Sequence, residues 1–213
     1  MSMTKQVDAR PGEYVDPAPA VPGRKMRWWW FAGVVVALAV PTLLVVTSLN
    51  QLTPNSLTFD SPVPAGSVTY SVPGRLHVTG EVQYDHSPPV GGNHAPVWLN
   101  CGIYDLPVVD ENAVHSLEHG AVWITYLPGL SPAELDRLRA LIKESYDGPG
   151  RYVILSPYPG QSAPLIASAW GHQLTLQAPT DPRLQSFIDY FRQGPQTLER
   201  GSRCAGGAGN PIG

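Results

Sequence analysis

The longest uninterrupted apolar run is residues 28–49, which opens Trp28-Trp29-Trp30-Phe31, continues in Val, Ala and Leu, and carries no formal charge over 22 residues. About 20 such residues cross the hydrocarbon core of a bilayer as a helix, so the pattern predicts one transmembrane anchor. Pro41 falls inside it, which a membrane helix tolerates at the cost of a bend. Two other readings compete. A cleaved signal peptide has an apolar core of about 7–15 residues ending in a small-residue cleavage site, and neither feature is present. A buried core helix does not account for the flanks: Arg24, Lys25 and Arg27 precede the run and the next basic residue is Arg75. That asymmetry places the N-terminus in the cytoplasm and the remainder outside. Residues 1–27, polar and proline-bearing without apolar periodicity, read as a disordered cytoplasmic tail. Residues 50–66, with Pro54, Pro62 and Pro64, read as a stalk. The extracytoplasmic domain is then 67–204, followed by a flexible tail over 205–213.

Within the domain the pattern shifts to short periods. Residues 68–72 and 77–84 suggest early strands separated by Pro73-Gly74, with only rough alternation at Val78, Val82 and Tyr84. Residues 87–96 hold Pro88, Pro89, Gly91, Gly92 and Pro96, too many breakers for a helix or a central strand, and a loop of that length usually serves a function. Residues 111–119 suit a short helix that Gly120 stops as the residue after the C-cap. Residues 121–127, 152–156 and 164–170 read as strands and 174–177 as a hairpin partner. Ser131-Pro132-Ala133-Glu134 combines an N-cap, a first-turn proline and a capping-box glutamate, and Leu135, Leu138, Leu141 and Ile142 share one face. Asp181-Pro182 repeats the start signal before Leu184, Phe187, Ile188 and Phe191. Strands and helices in this order predict an α+β domain: a mainly antiparallel sheet with two amphipathic helices packed on one face.

Charge and cysteine content narrow the function classes. Residues 50–213 carry eight Arg and one Lys against fourteen Asp and Glu, a formal charge of −5. A nucleic-acid binder needs a clustered basic surface, which is absent, and an acidic domain does not adhere to anionic lipid, so contact with the lipid bilayer runs through residues 28–49. The 21 Gly and 23 Pro indicate short elements joined by stiffened loops. Cys101 and Cys204 both lie beyond the anchor, in a compartment where disulfides persist, and a bridge between them ties the Gly-rich C-terminus to the domain. A loop of about 100 residues closed this way contributes about 4.7 kcal/mol in the chain-entropy model. The other use of Cys101 is as a free thiol ligand or nucleophile.

The densest group of ligand-type side chains is Glu111-Asn112-Ala113-Val114-His115-Ser116-Leu117-Glu118-His119-Gly120. Four helical residues turn about 400°, so the His115 and His119 rings lie about 40° apart around the axis and can share an ion. Imidazole suits zinc and copper, and His94, at the end of the Gly-rich loop, is the expected third metal ligand. His77, His86 and His172 stand isolated in the sequence, and structural roles fit them better. His115-x-x-Glu118-His119 also matches a zinc-peptidase pattern in which the glutamate activates water, making Glu118 the candidate catalytic residue. Against that, Gly120 ends the helix at once and no second helix offers a third carboxylate ligand. The alternative for the same residues is that both histidines cap and hydrogen-bond nearby loops, with Glu118 paired to one of them. All three Met are at positions 1, 3 and 26, which excludes the usual axial thioether of a blue-copper site from the domain. There is no G-x-S-x-G elbow, C-x-x-C, P-loop or dinucleotide fingerprint.

Pro88-Pro89-Val90-Gly91-Gly92-Asn93-His94, Asn100-Cys101-Gly102-Ile103-Tyr104-Asp105 and Val114-His115-Ser116-Leu117-Glu118-His119-Gly120-Ala121-Val122 together resemble an uncharacterised family of membrane-anchored bacterial proteins, common in actinobacteria and known as a domain of unknown function. Ser156-Pro157-Tyr158-Pro159-Gly160, Ala169-Trp170-Gly171 and Gly194-Pro195-Gln196 extend the resemblance over about residues 68–204. It implies an anchor and one extracytoplasmic domain in which His94, His115, Glu118 and His119 belong to the shared pattern and His86 does not. It implies no activity, substrate or cofactor.

Three readings follow: a single-pass membrane protein binding zinc or copper through His94, His115 and His119; a non-enzymatic envelope interaction domain with structural histidines and a protein partner; and a metal-dependent hydrolase using Glu118. The anchor is common to all three. The chain is expected to stay in the membrane pellet through alkaline carbonate extraction, and a chain lacking residues 28–49 to leave it; release of the intact chain by carbonate would remove the anchor.

Overall fold

The computed structural model describes residues 62–144 and 152–212. The predicted cytoplasmic tail, the anchor and nearly all of the stalk lie outside these residues. Among the described residues no helix is long and apolar enough to cross a membrane. The elements in chain order are β1 (Val68–Thr69), β2 (Gly102–Ile103), α1 (Asp110–Glu118), β3 (Val122–Tyr126), α2 (Pro132–Glu144), β4 (Val153–Pro157), β5 (Leu165–Ala169), β6 (His172–Leu176) and α3 (Pro182–Phe191). The class is α+β, and the six strands form one sheet in the order β1-β6-β5-β3-β4-β2.

The sheet is mixed rather than mainly antiparallel. β1, β6, β5 and β3 pair antiparallel in succession, whereas β3 with β4 and β4 with β2 are parallel. Parallel neighbours need a crossover, and here the crossovers are helical. From β2 the chain passes through α1 to β3, beyond β4; from β3 it returns through α2 to β4. The direction of travel across the sheet reverses between the two steps, so connections of one hand deliver α1 and α2 to opposite faces.

The two amphipathic helices, α2 and α3, share one face as expected. Among the described residues there are three helices, and the short helix α1 lies across the sheet from the other two. Leu138 and Ile142 of α2 and Leu184, Phe187, Ile188 and Phe191 of α3 pack against Val122, Ile124, Val153, Leu155, Leu165 and Leu174. On the far face, Ala113, Val114 and Leu117 of α1 pack with Trp123, Ile154, Leu99 and Trp170. Alternate residues of β3 and β4 thus enter different cores, which is why these strands read as unbroken apolar runs. Trp123 sits wholly buried in the core on the α1 face, its Nε1 donating to Ser156 Oγ at 3.0 Å.

Local signals act where they were expected. Ser131 and Glu134 close a capping box, with Ser131 N donating to Glu134 Oε2 (2.9 Å) and Glu134 N to Ser131 Oγ (3.3 Å). Asp181 Oδ1 accepts from Arg183 N at 3.0 Å to cap α3. The early strands are largely absent: β1 keeps only two residues, and residue 77 forms an isolated parallel bridge with residue 94 instead of starting a strand. Pro73, Gly74 and Gly80 break that stretch too often for a ladder to extend.

Cys101 and Cys204 form a disulfide, with Cα atoms 5.3 Å apart and 103 positions of sequence between them. Residues beyond it continue along the domain: Asn100 N donates to the Ala208 carbonyl (2.8 Å), Ala208 N to the Trp98 carbonyl (2.8 Å) and Ile212 N to the Ile103 carbonyl (2.7 Å). The bridge therefore closes a long loop and clamps a segment that has little apolar surface of its own. Replacing both cysteines by serine is expected to lower unfolding free energy by about 2–4 kcal/mol in urea titrations under oxidising conditions; an unchanged midpoint would show that the bridge does not constrain the unfolded chain.

Candidate metal centre

Helix α1 organises the site. Its C-terminal end follows the hydrogen-bond pattern of a Schellman motif, with Gly120 N bonded to the Leu117 carbonyl and Ala121 N to the Ser116 carbonyl, both at 2.9 Å. Gly120 is at φ +91°, and a Cβ there would lie 2.5 Å from Gln193 Nε2 and 2.7 Å from Thr197 Oγ1. Glycine is required twice over, by backbone conformation and by the chain packed against it. The motif stops the helix just after His119 and turns it into β3.

The other side chains are brought in by stitching to α1. The Ala95 N–H donates to the Glu111 carbonyl (3.2 Å), Leu99 N to the Asn112 carbonyl (2.9 Å), Asn112 Nδ2 to the Val97 carbonyl (2.6 Å) and Ser116 Oγ to the Leu99 carbonyl (2.8 Å). Residues 95–99 are thereby laid along the helix with His94 at their head. His77 then follows from the bridge, since Val78 N donates to the His94 carbonyl (2.8 Å) and His94 N to the Leu76 carbonyl (3.0 Å).

The result is a group formed by His77, His94, His115 and Glu118, whose ligand-type atoms all lie within 4.8 Å of one another. His94, His115 and Glu118 are buried, at 0%, 3% and 2% exposure, while His77 is half exposed at the rim. Glu118 Oε2 is 3.0 Å from His94 Nε2 and 3.9 Å from His77 Nε2, and Arg75 Nη1 approaches Glu118 Oε1 at 3.9 Å from the solvent side. His119 lies on the other side of His115, their Nε2 atoms 3.0 Å apart, and Glu199 Oε2 is 3.5 Å from His119 Nε2.

Tautomers follow from the partners. His94 Nδ1 faces the Gly92 carbonyl at 2.8 Å, His115 Nδ1 the Ala95 carbonyl at 2.7 Å and His119 Nδ1 the Arg203 carbonyl at 2.7 Å. A carbonyl only accepts, so each Nδ1 carries the hydrogen, and in the neutral ring each Nε2 presents a lone pair. Metal-binding histidines are held in this way. His94 Nε2 is buried and makes no hydrogen bond, although the Glu118 carboxylate lies only 3.0 Å away. Trp98, 5.2 Å from His119 and 5.9 Å from His115, and Trp170, 5.9 Å from His94, wall the group from water.

The structure brings His94 and His115 together with Glu118, places His119 against His115, and adds two residues that sequence spacing did not single out. His77 is 17 positions before His94 and reaches it through a backbone bridge, while Glu199 arrives from the C-terminal segment, where Glu199 N donates to the Glu118 carbonyl (3.1 Å). Neither leaves a spacing signal. His86 lies against Tyr70 with tilted rings and centroids 4.1 Å apart, and His172 lies 4.6 Å from Phe191, both away from the group. Two cavities of about 320 and 440 Å³ lie nearby, one beside Tyr84, His86 and Asn93 and one beside Asp110, Glu111 and Tyr158; neither is lined by His94, His115 or Glu118. The histidine group is sized for an ion.

The family model for a protein of unknown function (DUF3105) matches residues 77–206, more than half of the chain, and the chain belongs to that family. The match begins at His77 and takes in His94, His115, Glu118, His119 and Glu199. No curated protein and no solved structure matches the chain.

Burial lowers the His115 pKa from 6.5 to about 4; the Ala95 carbonyl opposes the shift, and His119, His94 and His77 reinforce it. The unfolded chain therefore binds the His115 proton at a pH where the folded chain does not, and stability falls as pH drops from about 6.5 towards about 4. In urea titrations of chelator-treated protein, His115→Gln is expected to flatten this part of the pH dependence relative to the unsubstituted chain. Equal slopes for the two would show that His115 protonates as easily folded as unfolded.

Proposed function

We propose that this member of the DUF3105 family is a membrane-anchored, extracytoplasmic metal-binding protein whose ion is held by His94, His115 and Glu118 in the buried part of the site, with His77 as the ligand at its rim. The carrying observation is the His94–Glu118 contact. A fully buried ring nitrogen with its lone pair free, 3.0 Å from a buried carboxylate oxygen and without hydrogen-bond alignment to it, is arranged for a third atom that both can coordinate. Leaving such groups unpaired in a dry interior is costly, and a cation removes the cost.

The donor chemistry narrows the ion. Imidazole and carboxylate are borderline and hard ligands, both cysteines are committed to the disulfide, and the domain has no methionine. Zinc(II) and copper(II) suit such a set better than a soft monovalent ion. The half-exposed His77 gives the site an open side through which an ion or an exchangeable ligand can pass. The extracytoplasmic placement rests on the charge asymmetry around residues 28–49 and is supported by the disulfide, which persists in an oxidising compartment.

A peptidase-like use of Glu118 is less well supported. Such a glutamate stands free of the ion to activate water, whereas this carboxylate sits among the ligand atoms, within 4 Å of both His77 and His94. His94→Ala and Glu118→Gln are each expected to weaken Zn²⁺ binding at least about 100-fold, as ligand losses exceed the 10–100-fold typical of outer-shell changes. His172→Ala, outside the group, is expected to leave it unchanged. Chelator-competition titrations measure this, and native affinity in both ligand variants would defeat the proposal.

A further inference from the structure

The donor set exceeds what one ion can use. Building on the metal-binding reading above, we propose that the centre is dinuclear: His77, His94 and Glu118 hold one cation, and His115, which a single ion would share with them, instead joins His119 and Glu199 around a second beside it. Two separate conflicts have to be relieved. One is the His94–Glu118 contact already described. The other is between His115 Nε2 and His119 Nε2, which face each other at 3.0 Å although both rings have committed their Nδ1 hydrogens to the Ala95 and Arg203 carbonyls. Two neutral rings so arranged oppose lone pair to lone pair. A single ion held by His94, His115 and Glu118 would take up the His115 lone pair but leave His119 and Glu199 unused.

The spacing fits coordination. Ligand bonds of about 2.0–2.1 Å place two nitrogens 3.0 Å apart when the angle at the metal is about 95°, between octahedral and tetrahedral values. Glu199 Oε2, 3.5 Å from His119 Nε2, supplies the carboxylate of the second set. Each half then holds two imidazoles and one carboxylate, the donor set that leaves open positions on an ion. A ring nitrogen of His115 lies within 4.8 Å of the ligand atoms of the first half, so the two ions would sit side by side, in the manner of sites that clamp a ligand between metals.

The backbone supports the second half independently of any ion. Glu199 N is tied to the Glu118 carbonyl at 3.1 Å, and Gln193 spans the helix end, its N donating to the Gly120 carbonyl at 2.9 Å and its Oε1 accepting from Gly201 N at 2.8 Å. Arg203, whose carbonyl orients His119, immediately precedes the disulfide-bonded Cys204. Two carboxylates balance half the charge of two divalent ions. The remaining +2 calls for an anionic oxygen ligand, a hydroxide or an oxyanion, on the open side.

The test is a Co²⁺ titration of the full-length chain purified in detergent and stripped with chelator, reading bound equivalents and the cobalt absorption bands. Two equivalents per chain are expected, falling to one in Glu199→Gln, a rim substitution whose folding is checked by an unchanged circular dichroism spectrum. His119→Gln is expected to lose the same equivalent. One equivalent in the native chain, or two retained in Glu199→Gln, overturns the dinuclear assignment and leaves the metal-binding reading in place. No bound cobalt in the native chain overturns both.

Discussion

Three backbone carbonyls, those of Gly92, Ala95 and Arg203, each take the Nδ1 hydrogen of a histidine whose exposure is below 5%. Because a carbonyl cannot donate, this leaves every Nε2 with its lone pair directed inward. The orientation of the rings, their tautomers and their proximity to two carboxylates all depend on where those carbonyls are. The carbonyls in turn are placed by the loops stitched to α1 and by the segment behind the disulfide. The site is a property of backbone geometry before it is a property of side-chain chemistry.

That geometry explains features of the fold that a compact core alone would not need. The reversal of direction between β2–α1–β3 and β3–α2–β4 isolates α1 on its own face of the sheet, where loops and the C-terminal segment, rather than another helix, cover it. Loops carry more free carbonyls than helices do, and a face covered by loops can surround a polar group with acceptors. The opposite face, covered by α2 and α3, holds the larger apolar cluster. Both faces are packed, and the histidine group lies on the α1 side.

Gly120 links the two. It ends α1, admits Gln193 and Thr197 against the helix terminus, and starts the strand that both cores share. The segment from Gln193 to Cys204 closes over the helix end, bringing Glu199 and the Arg203 carbonyl to His119. A disulfide on Cys204 serves that arrangement better than apolar burial could, because the segment has few large side chains to bury.

Much of this was legible in the linear pattern. The capping box at Ser131, the cap at Asp181, the stop at Gly120 and the apolar strands are local signals, decided by hydrogen bonds and periodicity within a few residues. The spacing of His115 and His119 was legible for the same reason, since a helical turn fixes it. The parallel pairing of β3 with β4, the separate face for α1, and the arrival of His77 and Glu199 were not. Each depends on segments between 17 and more than 80 positions apart meeting through backbone hydrogen bonds, and a backbone hydrogen bond carries no side-chain signature. The sequence alone therefore determined the helices, the longer strands and the helical half of the site. Only the tertiary structure decided which distant side chains complete it, because sheet order and loop stitching bring them there.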